Sequence, residues 1–260
     1  MTSFATFFST RRELVSAMLI LAFDTTSQRG GAGIYRDGEC LAAVANDAPA
    51  NLYSVTLFEM VDRLQAEVRA RLAAPSFSLR DIDLFAVANG PGSFTGIRVG
   101  VAAAQAWAVA FDRPVCGVSV LEAMVAQAQP QAGYVLPILD ARRGEFYLGM
   151  FRRAVAEADG TFEPVGDGWV LKPEAIGPFL AERLPADAAA AFLAREHDAA
   201  ALALRELLPQ ELLWQQVPGT LVPGIARLAL EAPRTGRLKS PAELDAYYIR
   251  RSDAELNWRG

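Results

Sequence analysis

A single histidine, His197, stands in the 260 residues of this chain. One imidazole removes most metal sites and most Ser–His or Cys–His dyads from consideration before any motif is read. Cysteine is almost as scarce: Cys40 and Cys116 lie far apart with no CxxC spacing, which offers no thiolate framework and suits a reducing compartment. Positive charge is short as well, with 25 Lys and Arg against 30 Asp and Glu for a net charge of -5. Such a chain does not grip nucleic acid by itself, because neutralising phosphates needs a cationic surplus. The apolar run Leu14–Phe23 after Arg11-Arg12 has the length of a signal segment and is too short to cross a bilayer. Thr10–Val15 resembles a twin-arginine signal, yet no small-x-small cleavage site precedes Asp24-Thr25-Thr26-Ser27, and cleavage there would delete the first core strand. Met18 is therefore read as the functional start, with 1–17 a disordered or mis-assigned extension.

What is present is an apolar chain, 52% hydrophobic and 21% charged, able to bury a large core in one domain or two lobes. Leu19–Phe23 is a continuous apolar run, as in a strand buried on both faces. A second strand is predicted over Gly31–Tyr35, and Asp37-Gly38 turns the chain into Cys40–Val44. Leu57, Val61, Leu64, Val68 and Leu72 keep helical spacing and predict a helix over 52–72. Asp83–Ala88 reads as a strand, followed by a Gly-rich turn, an Ala-rich helix to about Phe111, a strand over Pro114–Gly117 and a helix over Leu121–Gln129. Val135–Asp140 repeats the plan of Leu19–Asp24, an apolar strand ending in aspartate, although Pro137 is awkward in a central strand. The spacing then predicts helices over Pro173–Arg183, Ala186–Leu208 and Val222–Ala232. Strand–helix alternation points to an α/β architecture divided near residue 112.

The stretch from Gly90 to Gly100 is the most informative: a strand, a tight turn with Gly90 and Gly92, and a helix that Ser93 or Thr95 can cap. A helix start after such a turn is a general anion site, so phosphate is a reasonable first guess. Sharper readings fail. There is no Walker lysine, Thr95 replaces the last glycine of a dinucleotide fingerprint, and Pro91 and Thr95 replace the glycines of a nucleophile elbow around Ser93. Gly96, Gly100, Ala104 and Ala108 recur every four residues as a smooth stripe, open to the sheet beneath or to a partner helix above.

The run Gly90-Pro91-Gly92-Ser93-Phe94-Thr95-Gly96-Ile97-Arg98-Val99-Gly100 closely resembles the signature of the TsaB (YeaZ) family. Leu21–Thr26, Leu139–Glu145 with Tyr147, and Tyr248-Ile249-Arg250 resemble that family's other conserved segments, from about Met18 to Arg250, with a loose match over 155–240. The resemblance implies an ASKHA fold (acetate and sugar kinase, Hsc70, actin) with two related βββαβα lobes: 18–112 as the first, partner-binding lobe, 113–240 as the second, and 241–260 as a C-terminal segment and tail. It makes Asp24, Thr25, Asp140 and Arg142 vestiges of phosphate-facing turns. It also implies a cytoplasmic, non-catalytic subunit that carries no cofactor and no metal and makes no membrane contact. The implied partners are a catalytic paralogue, TsaD, in a heterodimer, and an ATPase subunit, TsaE. The resemblance also allows a homodimer, and the tRNA is reached only through the complex. The implied interface comprises Gly90, Gly92, Ser93, Phe94, Thr95, Gly96, Arg98, Gly100 and Ala104 with Leu57 and Val61. TsaD-type enzymes carry a His-x-x-x-His pair where this chain reads Asn51-Leu52-Tyr53-Ser54-Val55, so imidazole ligands are lacking there. The rival readings are a stand-alone ASKHA phosphotransferase or ATPase using Asp24 and Asp140, and a glycoprotease-like peptidase. His197 is expected on a solvated helical surface, and Trp107 and Trp214 in the core.

Overall fold

A computed structural model of the chain describes residues 17–46, 52–154, 161–208 and 212–249. The expected extension (save residue 17), Asn51 and the tail from Arg250 fall outside the described residues.

Two sheets share one plan. In the first, β1 (Leu19–Asp24), β2 (Gly31–Arg36) and β3 (Glu39–Ala45) form an antiparallel meander; β4 (Leu84–Gly90) and β5 (Val115–Ser119) add in parallel, for the order β3-β2-β1-β4-β5. The second sheet reads β10-β7-β6-β11-β12, from β6 (Tyr134–Asp140), β7 (Phe146–Leu148), β10 (Trp169–Leu171), β11 (Ala190–Arg195) and β12 (Leu213–Val217). Here too two antiparallel steps are followed by two parallel ones. This is the expected ASKHA duplication, each βββαβα unit being continued by one more strand and helix. Because β5 belongs to the first sheet, that sheet ends at Ser119, beyond the expected division at residue 112.

The strands form where sequence and burial agree. Ile20 to Asp24 are buried at every position, as a parallel-sheet strand covered on both faces requires. Pro137 sits in β6 where the antiparallel neighbour changes: β8 (Phe151–Arg153), flanked in turn by β9 (Phe162–Pro164), pairs with Tyr134 and Val135, and β7 with Ile138 to Asp140. Proline falls in the gap between the two ladders, where no partner asks for its missing N–H.

In the first lobe, α1 (Tyr53–Leu72) and α2 (Phe94–Phe111) cover the outer face of the sheet. The N-cap of α1, Leu52, makes no side-chain cap. The helix is held instead by Leu57, Leu64 and Val68, each fully buried and each stabilising by ~1.5–3 kcal/mol, more than the ~1 kcal/mol of a cap. By length and composition α2 is apolar enough to cross a membrane, but Gly96, Ile97, Gly100, Ala104 and Ala108 on it are buried against the sheet.

The last helix of each repeat, α3 (Val120–Ala128) and α6 (Val222–Thr235), packs between the two sheets. Val120, Met124, Ile225 and Ala229 there join Ile20 and Ala86 of one lobe to Val135 and Leu193 of the other in a single apolar cluster. The C-terminal half of the chain thus returns to cover the first sheet. Helix α4 (Pro173–Arg183) and the short α5 (Ala199–Ala203) belong to a third cluster on the second sheet.

One predicted helix is a strand. Within 186–208 the structure places β11, buried at all six positions, and only then α5. Alanine favours a helix in isolation, but the slot between β6 and β12 needs a narrow apolar strand, and tertiary context overrides propensity. Short apolar runs carry no period that separates the two states.

The two thiols differ in reactivity on the same grounds. Cys40 is exposed, whereas Cys116 is buried in β5 and burial pushes its pKa up to about 12. A thiol reagent at pH 8 is expected to modify Cys40 at once and Cys116 only on unfolding; mass spectrometry of the native and denatured protein measures both.

Candidate functional site

The two lobes face each other across a cleft of about 1100 Å³. One wall comes from the β1–β2 turn (Thr26, Ser27, Gln28) and the start of α2 (Gly92, Ser93, Phe94, Arg98). The other comes from the β6–β7 turn (Asp140, Arg142) and the β11–α5 turn (Arg195, His197, Asp198), with Tyr248 of the C-terminal segment at the mouth.

The aspartates that end β1 and β6 make the same local structure. Oδ1 of Asp24 accepts from the backbone N–H of Thr26 at 2.8 Å, and Oδ1 of Asp140 accepts from that of Arg142 at 2.7 Å. Each carboxylate folds its own turn. Beyond this they diverge. Asp24 is fully buried, and so is Thr25, whose hydroxyl donates to the carbonyl of Gly96 at 2.7 Å beneath α2. Of the residues expected as vestiges of phosphate-facing turns, Asp24 and Thr25 have their polar atoms turned into the protein. Asp140 does reach the cleft, paired with Arg142 at 3.2 Å. Its backbone N–H donates to Asp198, which also caps α5.

The residue that organises the floor of the cleft is Arg195, at the end of β11. Its guanidinium pairs with Oδ2 of Asp24 at 3.0 Å and donates to the Ser27 hydroxyl at 2.6 Å, with Arg195 only 2% exposed. Both oxygens of Asp24 are therefore engaged, Oδ1 also accepting from the Thr26 hydroxyl. From the opposite side Tyr53 reaches the same turn: its hydroxyl donates to the Ser27 carbonyl at 2.6 Å and accepts from the Gly30 N–H at 2.9 Å. Burial, with Asp24 nearby, pushes the Tyr53 phenol up to about 12. Tyr53 lies in the stretch where a histidine is lacking, and its work is structural.

The Gly-rich turn is filled by the chain itself. Gly90 and Gly92 have φ of 129° and 156°, and a Cβ on Gly92 would lie 2.7 Å from the Thr26 carbonyl oxygen. A Cβ on Gly90 would meet the Tyr247 carbonyl at 2.2 Å, and one on Gly96 the Thr25 carbonyl at 1.9 Å. These glycines admit the β1–β2 turn and the C-terminal segment. Ser93 caps α2 through Gly96, as one of the two expected caps.

The small stripe is likewise internal. Gly96, Gly100 and Ala104 are buried, as are Leu57 and Val61 at 0% and 2% exposed. These five expected interface residues pack the lobe's own core, because a stripe without side chains lets α2 lie close on β4 and the Thr25 turn. Gly92, Phe94, Thr95 and Arg98 are exposed and Ser93 partly so. Phe94 stacks on Tyr248 with centroids 5.4 Å apart, and the Arg98 guanidinium lies 3.8 Å above the Phe94 ring.

His197 is not on a helix but in the β11–α5 turn, half-buried at the cleft. Burial, with Arg195 and Arg29 adding to it, holds its pKa below the ordinary value. Its buried Nδ1 meets no hydrogen-bond partner among the described residues. No group of three or more His, Cys, Asp or Glu able to hold a metal occurs among the described residues.

Sequence reasoning missed Arg195, whose segment it assigned to a helix over 186–208. The signal was there: a buried run ending in a charged residue, as at Asp24 and Asp140, but hidden by the assignment of that run to a helix.

Two duplicated lobes around a cleft, with matching aspartate turns at the strand ends, define an ASKHA-type α/β protein. A family model described as TsaD, tRNA N6-adenosine threonylcarbamoyltransferase, matches residues 55–176. The chain is 34% identical over 135 residues to the tRNA threonylcarbamoyladenosine biosynthesis protein TsaB of Bacillus subtilis (strain 168), covering 52% of this chain and 56% of that protein. It is 34% identical over 162 residues to TsaB of Escherichia coli (strain K12), covering 61% and 64%. The match thus spans less than two thirds of either relative's length. Among solved structures, YeaZ from Pseudomonas aeruginosa superposes with a TM-score of 0.69 at 25% identity, covering 89% of this chain and 99% of that one. The chain is thus similar to TsaB (YeaZ) proteins in sequence over part of its length and in fold over most of it.

Proposed function

We propose that this chain is a non-catalytic scaffold subunit acting in the threonylcarbamoyladenosine modification of tRNA. In this reading it binds a TsaD-like catalytic paralogue that transfers the threonylcarbamoyl group to the adenosine next to the anticodon. A TsaE-type ATPase joins the assembly, and tRNA is met only through it.

The observation that carries the reading is an apolar strip on the outer face of the first lobe. Leu52 at the head of α1, Val55 and Phe58 on α1, and Val109 on α2 are 57%, 56%, 50% and 70% exposed. Trp107 lies edge-on to Phe58 at 5.8 Å. Large apolar groups gathered in water mark a docking surface, and the same strip serves a homodimer or a heterodimer. The exposed part of the 92–98 segment, with Phe94 and Arg98, extends it toward the cleft. The engagement of Asp24 by Thr26 and Arg195 supports the absence of chemistry in this subunit, since neither carboxylate oxygen is left for a substrate or a cation.

Val55→Arg and Val109→Arg place charge on the strip without entering the core. Each is expected to weaken binding to the TsaD-like subunit roughly 30-fold, the loss of about 2 kcal/mol at a central contact, with an unchanged thermal midpoint. Calorimetric titration of the purified subunits measures it, and unaltered affinity in both variants removes the strip as the interface. Depleting the protein and quantifying threonylcarbamoyladenosine in tRNA nucleosides by mass spectrometry tests the role itself; an undiminished level refutes it.

A further inference from the structure

We infer that Arg195 is a latch between the lobes, holding the cleft at one width and depriving the fold of hinge opening. Arg195 ends a strand of the second sheet, yet its two hydrogen-bonded nitrogens are spent on the first lobe, one on Asp24 at 3.0 Å and one on Ser27 at 2.6 Å. The ion pair is buried on both sides, with side-chain exposures of 2% and 0%. Rotation of the lobes that widens the cleft must draw the guanidinium off the carboxylate and break a buried, hydrogen-bonded ion pair, which costs more than parting a surface pair.

The receiving end cannot follow the arginine outward. Its turn is tied to α1 by Tyr53 through Ser27 and Gly30, and to α2 by the Thr25–Gly96 and Ser93–Thr26 hydrogen bonds. On the far side of the cleft floor the α3–α6 pair joins both sheets in one apolar cluster. The lobes are thus fastened by apolar packing behind the cleft and by the ion pair at its floor, and the C-terminal segment bridges them as well, Tyr247 bonding to Asn89 of the first and Asp167 of the second. Hinge closure needs a few residues that absorb a change in backbone angles, and here that place is stapled. The inference does not depend on the proposed function.

The test measures the distance between lobes in the full chain. Spin labels are placed on Cys40, exposed in the first lobe, and on Glu182→Cys, exposed in the second; buried Cys116 stays unlabelled. Labelled protein is diluted into unlabelled protein so that only distances within one chain are read by double electron–electron resonance. The parent is expected to give one narrow distribution. Arg195→Met is expected to broaden it and move it to longer distances, and Ser27→Ala, which removes one of the two arms, to do so to a smaller degree. Parent-like distributions in both variants, with native circular dichroism, overturn the latch. Should Arg195→Met not fold, Ser27→Ala decides alone: broadening supports the latch and an unchanged distribution refutes it.

Discussion

Gly96→Ala is expected to destabilise the protein by about 3 kcal/mol, the upper end for overpacking, and to lower its thermal midpoint by roughly 6–12 °C. The new methyl carbon would stand 1.9 Å from the carbonyl oxygen of Thr25. That oxygen is backbone, and the Thr25 hydroxyl is already tied to the Gly96 carbonyl, so neither side yields by a rotamer change. The neighbouring Thr95→Ala, on the exposed side of the same helical turn, is the control and should stay within ~0.5 kcal/mol of the parent. Calorimetric unfolding of the two variants measures the contrast. Equal midpoints would mean that α2 does not lie on the β1–β2 turn, and the account of the Gly-rich run as internal packing would fall.

Arg195→Met should be still more damaging, at ~3–5 kcal/mol, because it strands the Asp24 carboxylate in the interior without a counter-charge. Surface pairs in this chain do not compare. Arg71 and Glu39 meet at 2.7 Å but are 48% and 66% exposed, where such a pair contributes ~0–1 kcal/mol. The diagnostic is the double variant Asp24→Asn/Arg195→Met. Asparagine keeps an oxygen for the Thr26 N–H and carries no charge, so the double variant should be more stable than the sum of the two single losses by ~0.5–3 kcal/mol. Urea unfolding of the four proteins closes the cycle. Strict additivity would show that the two groups do not interact in solution.

The contrast between these positions explains why some of this protein was legible in its sequence. Leu19–Asp24, the Asp37-Gly38 hairpin, the helical spacing of Leu57 to Leu72 and the turn leading into α2 all rest on local rules of periodicity, turn chemistry and capping. Each appears within a residue or two of its predicted place. The recurrence of an apolar strand ending in aspartate at 24 and 140 revealed the duplication, since both aspartates fold their own turns by the same hydrogen bond.

Which way a residue faces was another matter. Gly96, Gly100 and Ala104 make a smooth stripe in any helix, but only the position of the Thr25 turn shows that the stripe is covered by the chain itself. Leu52, Val55 and Phe58, which periodicity marks only as the other side of α1, are the ones left in water. The 190–195 segment was misread because alanine's helical preference, a few tenths of a kcal/mol per residue, is smaller than the gain from filling a slot between two strands. The partnership of Arg195 with Asp24 spans 171 residues of chain, and no pattern of neighbours along the sequence encodes it. The sequence by itself determined most of the elements, their duplication and the family resemblance, because those depend on interactions a few residues long. Tertiary structure alone decided which faces are buried, which carboxylate is neutralised and where the open apolar surface lies, because desolvation depends on what the folded chain brings together from afar.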